Sequence, residues 1–173
     1  MTNTNDKIQN HLIKNGYSIT DFNKPELWKK VYETYKLEKD QEGLEIQGIS
    51  ITSGENIKEW CTLTLSKGIN SKNNALYKQA SKWCTEYKTI KESFQEGKEL
   101  ITKAKDFKGK YGKLPKSELK NTISKVQVSV TTLANAHKFK IWCEENSNRS
   151  YSNDQEFFAK HIKEHCLKDK EKV

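Results

Sequence analysis

The stretch Lys58-Glu59-Trp60-Cys61, followed 23 residues later by Lys82-Trp83-Cys84, decides how this chain is read. It is written again as Lys140-Ile141-Trp142-Cys143, closing on Glu164-His165-Cys166 with the same spacing of 23. The two copies use all four cysteines of the chain. Between 56–84 and 138–166 a gapless alignment also matches Lys58 with Lys140, Trp60 with Trp142 and Lys78 with Lys160. Each copy has the form of a helix ending in an aromatic–cysteine pair and a second helix ending in cysteine. Identity elsewhere is low, so the duplication rests on spacing and on these pairs.

Around each copy the apolar residues recur at helical spacing. Ile8 and Leu12 predict a short helix that stops at Asn15-Gly16. Asn23 and Pro25, with Glu26 in the first turn, predict the start of another, carrying Leu27, Trp28, Val31, Tyr32 and Tyr35. Glu38 to Gly43 reads as a charged connection. Thr52-Ser-Gly-Glu55 fits a capping box that opens a helix with Ile57, Trp60, Cys61 and Leu65. After a turn at Asn70 to Asn74, a further helix holds Leu76, Tyr77, Ala80, Trp83 and Cys84.

The second half restarts at Thr89-Ile90 and Phe94, with a helix expected onward through Ile101, Ala104 and Phe107, weakened at Gly97 and broken at Tyr111-Gly112. Pro115 and Ser117-Glu118 begin the next helix. Leu133, Ala136, Phe139 and Cys143 share one helical stripe, and Ser152-Asn-Asp-Gln155 fits a capping box before Phe158, Ile162 and Cys166. The expected fold is all-α, one compact helical domain over 7–168 built from two diverged helix-hairpin repeats (about 7–84 and 89–166). Polar tails are expected at 1–6 and 169–173. A minor strand pair is expected from Ile46–Ile51 and Val126–Val130, where apolar residues alternate. One domain is preferred to two beads because ~80 residues bury a small core.

Composition narrows the function. The 173 residues are 34% hydrophobic and 31% charged, with mean hydropathy −0.94, a thin core under a charged surface. Net charge is +8, yet Arg149 is the single arginine, and the lysines are spread among glutamates rather than massed. Bidentate readout of bases favours arginine, so the lysines read as a solvated surface. No apolar run approaches the ~20 residues of a membrane helix, and the opening residues lack the apolar core of a signal peptide.

The stretch Tyr77-Lys-Gln-Ala80-Ser-Lys-Trp83-Cys84-Thr85 with Thr89-Ile90 resembles a recurring signature of small paralogous proteins of haemotropic mycoplasmas. Trp142-Cys143, Tyr151-Ser152, Phe157-Phe158 and Cys166 are similar to the usual C-terminal pattern of that family, and Gly16-Tyr17 ahead of Trp28 fits its opening segment. The resemblance implies a non-enzymatic protein at the cell surface or secreted, facing a host partner and antigenically variable. It supplies no catalytic residue.

The candidate chemistry rests on Cys61, Cys84, Cys143 and Cys166. Two antiparallel helices joined midway between Cys61 and Cys84 would bring that pair side by side, and the repeated spacing predicts the same within the second copy. There the turn sits off-centre, and the connection must fold back. Four cysteines allow three connectivities, and reduced, buried thiols are the competing reading. His161 and His165, one turn apart, could join Cys143 and Cys166 as zinc ligands. The first copy has Gln79 and Trp83 in their places, and the histidines read better as partly buried helix residues. No metal, cofactor-binding or catalytic residue is assigned. Phosphate loops, GxSxG and HExxH are absent, and pairing Cys143 with His161 as nucleophile and base conflicts with cysteines in register with a structural repeat. Two functions stay open. One is a surface or secreted interaction protein with disulfides. The other is a cytosolic basic helical protein with reduced thiols that binds an acidic partner such as nucleic acid.

Overall fold

The computed structural model describes residues 6–70 and 74–172, so part of the turn expected at Asn70 to Asn74, and most of the tail expected at 1–6, lie outside the described residues. Eight α-helices and one pair of three-residue strands form among the described residues, a mostly α fold with a minor antiparallel sheet. The chain divides into two compact units, 1–87 and 88–173, each with its own apolar core.

In the first unit, α1 (Ile8–Lys14) stops before Gly16, whose φ of +91° is the left-handed conformation a helix stop uses. α2 (Pro25–Glu38) begins on proline, as expected. α3 (Gly54–Leu65) and α4 (Asn74–Trp83) make the hairpin. Trp28, Val31, Ile57, Trp60 and Trp83 fill the space between them and are all but buried. Gly54 matters to this packing: a Cβ there would lie 2.5 Å from the carbonyl carbon of Trp28 and 2.9 Å from Lys29 N. Only glycine lets α2 and α3 approach so closely.

The second unit has β1 (Lys98–Leu100), α5 (Lys110–Lys113), α6 (Glu118–Ser124), α7 (Ala134–Asn146), α8 (Glu156–His165) and β2 (Leu167–Asp169). Its hairpin, α7 and α8, encloses Phe139, Trp142 and Ile162. One-turn 3-10 helices at Lys91–Ser93 and Ala104–Phe107 stand where a long helix through Phe94 to Phe107 was expected. Gly97, with φ +87°, turns the chain there and sends it into β1 instead. Tyr111-Gly112, expected to break a helix, lies inside α5.

Hydrogen bonds repeat with the duplication. Lys7 pairs with Gly68 and Thr89 with Ser150 in isolated antiparallel bridges, 82 residues apart on both sides. Ile8 N donates to Lys67 O at 2.9 Å and Ile90 N to Arg149 O at 2.8 Å. Ile69 N donates to Asp6 O, and Tyr151 N to Lys88 O. The pairing of Ile19 with Thr85 reappears as Leu100 with Leu167, the last rung of the β1–β2 sheet. One residue has been lost between α1 and this rung in the second copy. The sheet is therefore an extension of a contact both repeats make.

That sheet is not the one expected. Residues 46–51 and 126–130 form no strand. In the first case side chains take the backbone groups: Ile46 N donates to the Tyr35 hydroxyl at 3.1 Å, and Gly48 sits at φ +84°. Asp169 pairs with Lys98, and Lys170 N donates to Gly97 O, so the C-terminal segment is ordered beyond 168. Asp6 likewise belongs to the fold through its bond from Ile69.

The caps differ too. At α3, Thr52 N and Oγ1 both donate to Asn56 Oδ1, and Glu55 plays no capping part in these bonds. Ser152 bonds Asp154 and Ser150 rather than closing a box with Gln155. The reciprocal box is Thr89 with Glu92, where Glu92 N donates to Thr89 Oγ1 and Thr89 N to the Glu92 carboxylate.

Candidate functional site: cystine hairpins and a histidine cluster

Each hairpin is closed by its own disulfide, Cys61–Cys84 and Cys143–Cys166, with Cα atoms 5.7 Å apart in both. All four sulfurs belong to fully buried residues. In each unit the first cysteine lies in the second half of the leading helix and the second is the residue after the trailing one. The staple therefore ties the C-terminal end of the trailing helix to the body of the leading one. The fold-back needed in the second unit is supplied by residues 147–155, through the Thr89–Ser150 bridge and a 3-10 turn at Asn153–Gln155. The pairing expected within each repeat is the pairing found. Cystine sulfurs neither attack nor bind zinc as thiolates, so the Cys143–His161 and Cys–His zinc arrangements are not formed.

The α4 face of the first unit is occupied by backbone. Trp83 Nε1 donates to Leu44 O at 2.8 Å, Gln79 Nε2 to Glu45 O at 3.0 Å and Lys78 Nζ to Glu42 O at 2.9 Å. Lys82 Nζ pairs at 2.5 Å with Glu38, which is fully buried at the end of α2. Glu38 looked like part of an exposed charged connection in the sequence. Its partner comes from 44 residues further on, beyond the reach of a periodicity argument.

On α8 the same positions hold different chemistry. Gln79, Lys82 and Trp83 correspond to His161, Glu164 and His165. Their ligand-type atoms all lie within 4.8 Å of one another. Glu164 Oε2 stands 3.7 Å from His161 Nδ1 and 3.5 Å from His165 Nε2. The two imidazoles stack, 6.1 Å between centroids and 15° between planes. Phe157 packs edge-on against His161, and Phe139 against His165. His161 Nδ1 is buried with no hydrogen-bond partner. Burial lowers His165 below its ordinary imidazole value; Glu164 opposes this, while His161 and Lys110 add to it.

His161 and His165, weighed in the sequence beside Cys143 and Cys166, stand instead beside Glu164, and the two cysteines are joined to each other. The third member of the cluster is Glu164, one residue before His165. The signal was present as His161-Ile-Lys-Glu164-His165, a reversed order of the HExxH pattern that places all three side chains on one face.

The single arginine is committed to structure. Arg149 Nε donates to Asn146, Nη1 donates to Gln155, and the guanidinium lies 3.6 Å over the Phe158 ring. Among the described residues no helix is long and apolar enough to cross a membrane. Comparisons with known protein families, curated proteins and solved structures find no match to this chain.

Proposed function

We propose that this protein is a non-enzymatic interaction module that works outside the cytoplasm, secreted or displayed at a cell surface, with a protein of the host or of that surface as its partner. The observation that carries this reading is the pair of cystines, one per unit, at equivalent positions of a duplicated hairpin. Disulfides of this kind are formed and kept in oxidising compartments. A thin core makes them useful, because each unit of under 90 residues has little apolar burial to spare. The exposed apolar residues Tyr151, Val130 and Leu133 lie on connections of the second unit, where a partner can reach them. The resemblance to the haemotropic mycoplasma proteins points the same way. The alternative, a cytosolic protein binding nucleic acid through lysines, is favoured by the net charge alone, and Arg149 is already engaged.

The test is a thiol count by intact mass on protein from its native source, alkylated under denaturing conditions before reduction. The proposal expects no alkylation until a reductant is added. Four free thiols would overturn it and restore the cytosolic alternative, to be followed by salt-dependent nucleic-acid binding.

A further inference from the structure

The second hairpin has turned a face that binds backbone in the first into a cluster of metal-ligating side chains. In the first unit each polar group on this face is used: Gln79 and Trp83 hold carbonyls of 44–45, and Lys82 neutralises Glu38. At the same positions in the second unit, Glu164 lies between His161 and His165, and His161 Nδ1 is left buried without a partner. An orphaned buried nitrogen is costly unless something satisfies it. We propose that the His161–Glu164–His165 face of α8 is a binding site for a divalent transition-metal ion of the zinc type, held by two imidazole nitrogens and one carboxylate oxygen.

The geometry suits that ion. Zinc bonded tetrahedrally to nitrogen and oxygen at about 2.0–2.2 Å sets neighbouring ligand atoms about 3.4 Å apart. The two separations from Glu164 are 3.5 and 3.7 Å, and all three ligand atoms lie within 4.8 Å of one another. The side chains of His165 and Glu164 are 31% and 49% exposed, so an ion enters from their side and meets the buried His161 Nδ1 beneath them. The packing of Phe157 and Phe139 against the rings limits the rotamers lost on binding. Three protein ligands leave a fourth position for water. Two imidazoles and a carboxylate, without thiolate, suit zinc or copper(II) rather than calcium or magnesium. Lys110, whose ammonium donates to His165 O, opposes the ion's charge and keeps the affinity moderate.

The experiment is calorimetric titration of zinc chloride into the intact, disulfide-bonded, metal-free chain, with thermal unfolding in parallel. Expected is one zinc per chain and a raised unfolding midpoint. Replacing a group that merely supports a metal ligand changes affinity about 10–100-fold, so His161→Gln and Glu164→Gln should each weaken binding at least tenfold. His161→Gln copies the residue of the first repeat, and Glu164 is half-exposed, so both variants should fold. His11→Gln and His137→Gln serve as controls and should bind as the parent does. No uptake by the folded chain, binding untouched by either substitution on α8, or binding lost with His11→Gln or His137→Gln would each overturn the assignment.

Discussion

Replacing Gly54 with alanine should destabilise the first unit, the reverse of what the same change does in most helices. Glycine-to-alanine substitution at a compatible helical position stabilises by ~0.4–1 kcal/mol, mainly by restricting the unfolded chain. At Gly54 the new methyl would stand 2.5 Å from Trp28 C and 2.9 Å from Lys29 N, with Trp28 O closer still. All three are backbone atoms of α2 and have no rotamer to escape into. Ordinary carbon contacts begin at about 3.5 Å, so α2 must withdraw by about 1 Å. That movement loosens Trp28 and Val31, each 1% exposed, from the first core. Overpacking of this kind costs ~1–3 kcal/mol, which outweighs the propensity gain. For a unit of this size each kcal/mol lowers Tm by about 4–8 °C. Tryptophan fluorescence in a denaturant series is a suitable assay, because Trp28, Trp60 and Trp83 all report on the first unit and only Trp142 on the second. The repeat supplies the control at Ala136, which takes the place of Gly54 where no long helix stands in the position of α2. Ala136→Gly should cost ~1–2 kcal/mol, from helix propensity and the loss of a buried methyl, with no clash relieved or made. A Gly54→Ala protein as stable as the parent, or more so, would refute the close-approach argument.

Two further predictions follow from the staples and from a buried tyrosine. Replacing both cysteines of either pair with alanine should destabilise that unit by about 3.4 kcal/mol, from the closure entropy of a loop with separation 23, and the two units should lose similar amounts in calorimetry. A loss confined to one pair would argue against equivalent roles. Tyr35, 4% exposed, has its hydroxyl raised above the ordinary tyrosine range, by burial first, with the amide of Ile46 opposing and Glu45 and Asp40 adding. The unfolded chain then loses this proton at lower pH than the folded one, so Tyr35 contributes a fall in stability as pH rises through about 10. Tyr35→Phe should flatten that alkaline fall in pH-dependent urea unfolding. It should also cost ~1–3 kcal/mol at neutral pH, because Ile46 N loses its acceptor. An alkaline limb unchanged by the substitution would refute the assignment.

The helices and staples were legible because they depend on local pattern. Pro25 and Glu26 mark the start of α2, Ser117 caps α6 through Lys120 N, and the recurrent 23-residue spacing leads to the right cysteine pairs. The strands were misplaced for a physical reason. Ile46 to Ile51 alternates, yet Ile46 N donates to the Tyr35 hydroxyl and the carbonyls just before it, Leu44 O and Glu45 O, accept from Trp83 and Gln79, whereas Lys98 to Leu100 pairs with Leu167 to Asp169 with almost no apolar pattern. A three-residue strand is set by what lies beside it more than by its own composition. The histidine cluster was half visible. The two histidines were named on spacing, and Glu164 stands beside them in the same short stretch of sequence; folding adds the contrast with its repeat counterpart Lys82, which pairs with Glu38.

The cystines also make each hairpin a closed ring of covalent bonds. A protease that cuts once between Cys61 and Cys84, or between Cys143 and Cys166, leaves the protein in one piece, because the disulfide still holds both ends. Loops inside those rings can therefore be nicked, and can vary in sequence, without shedding a fragment.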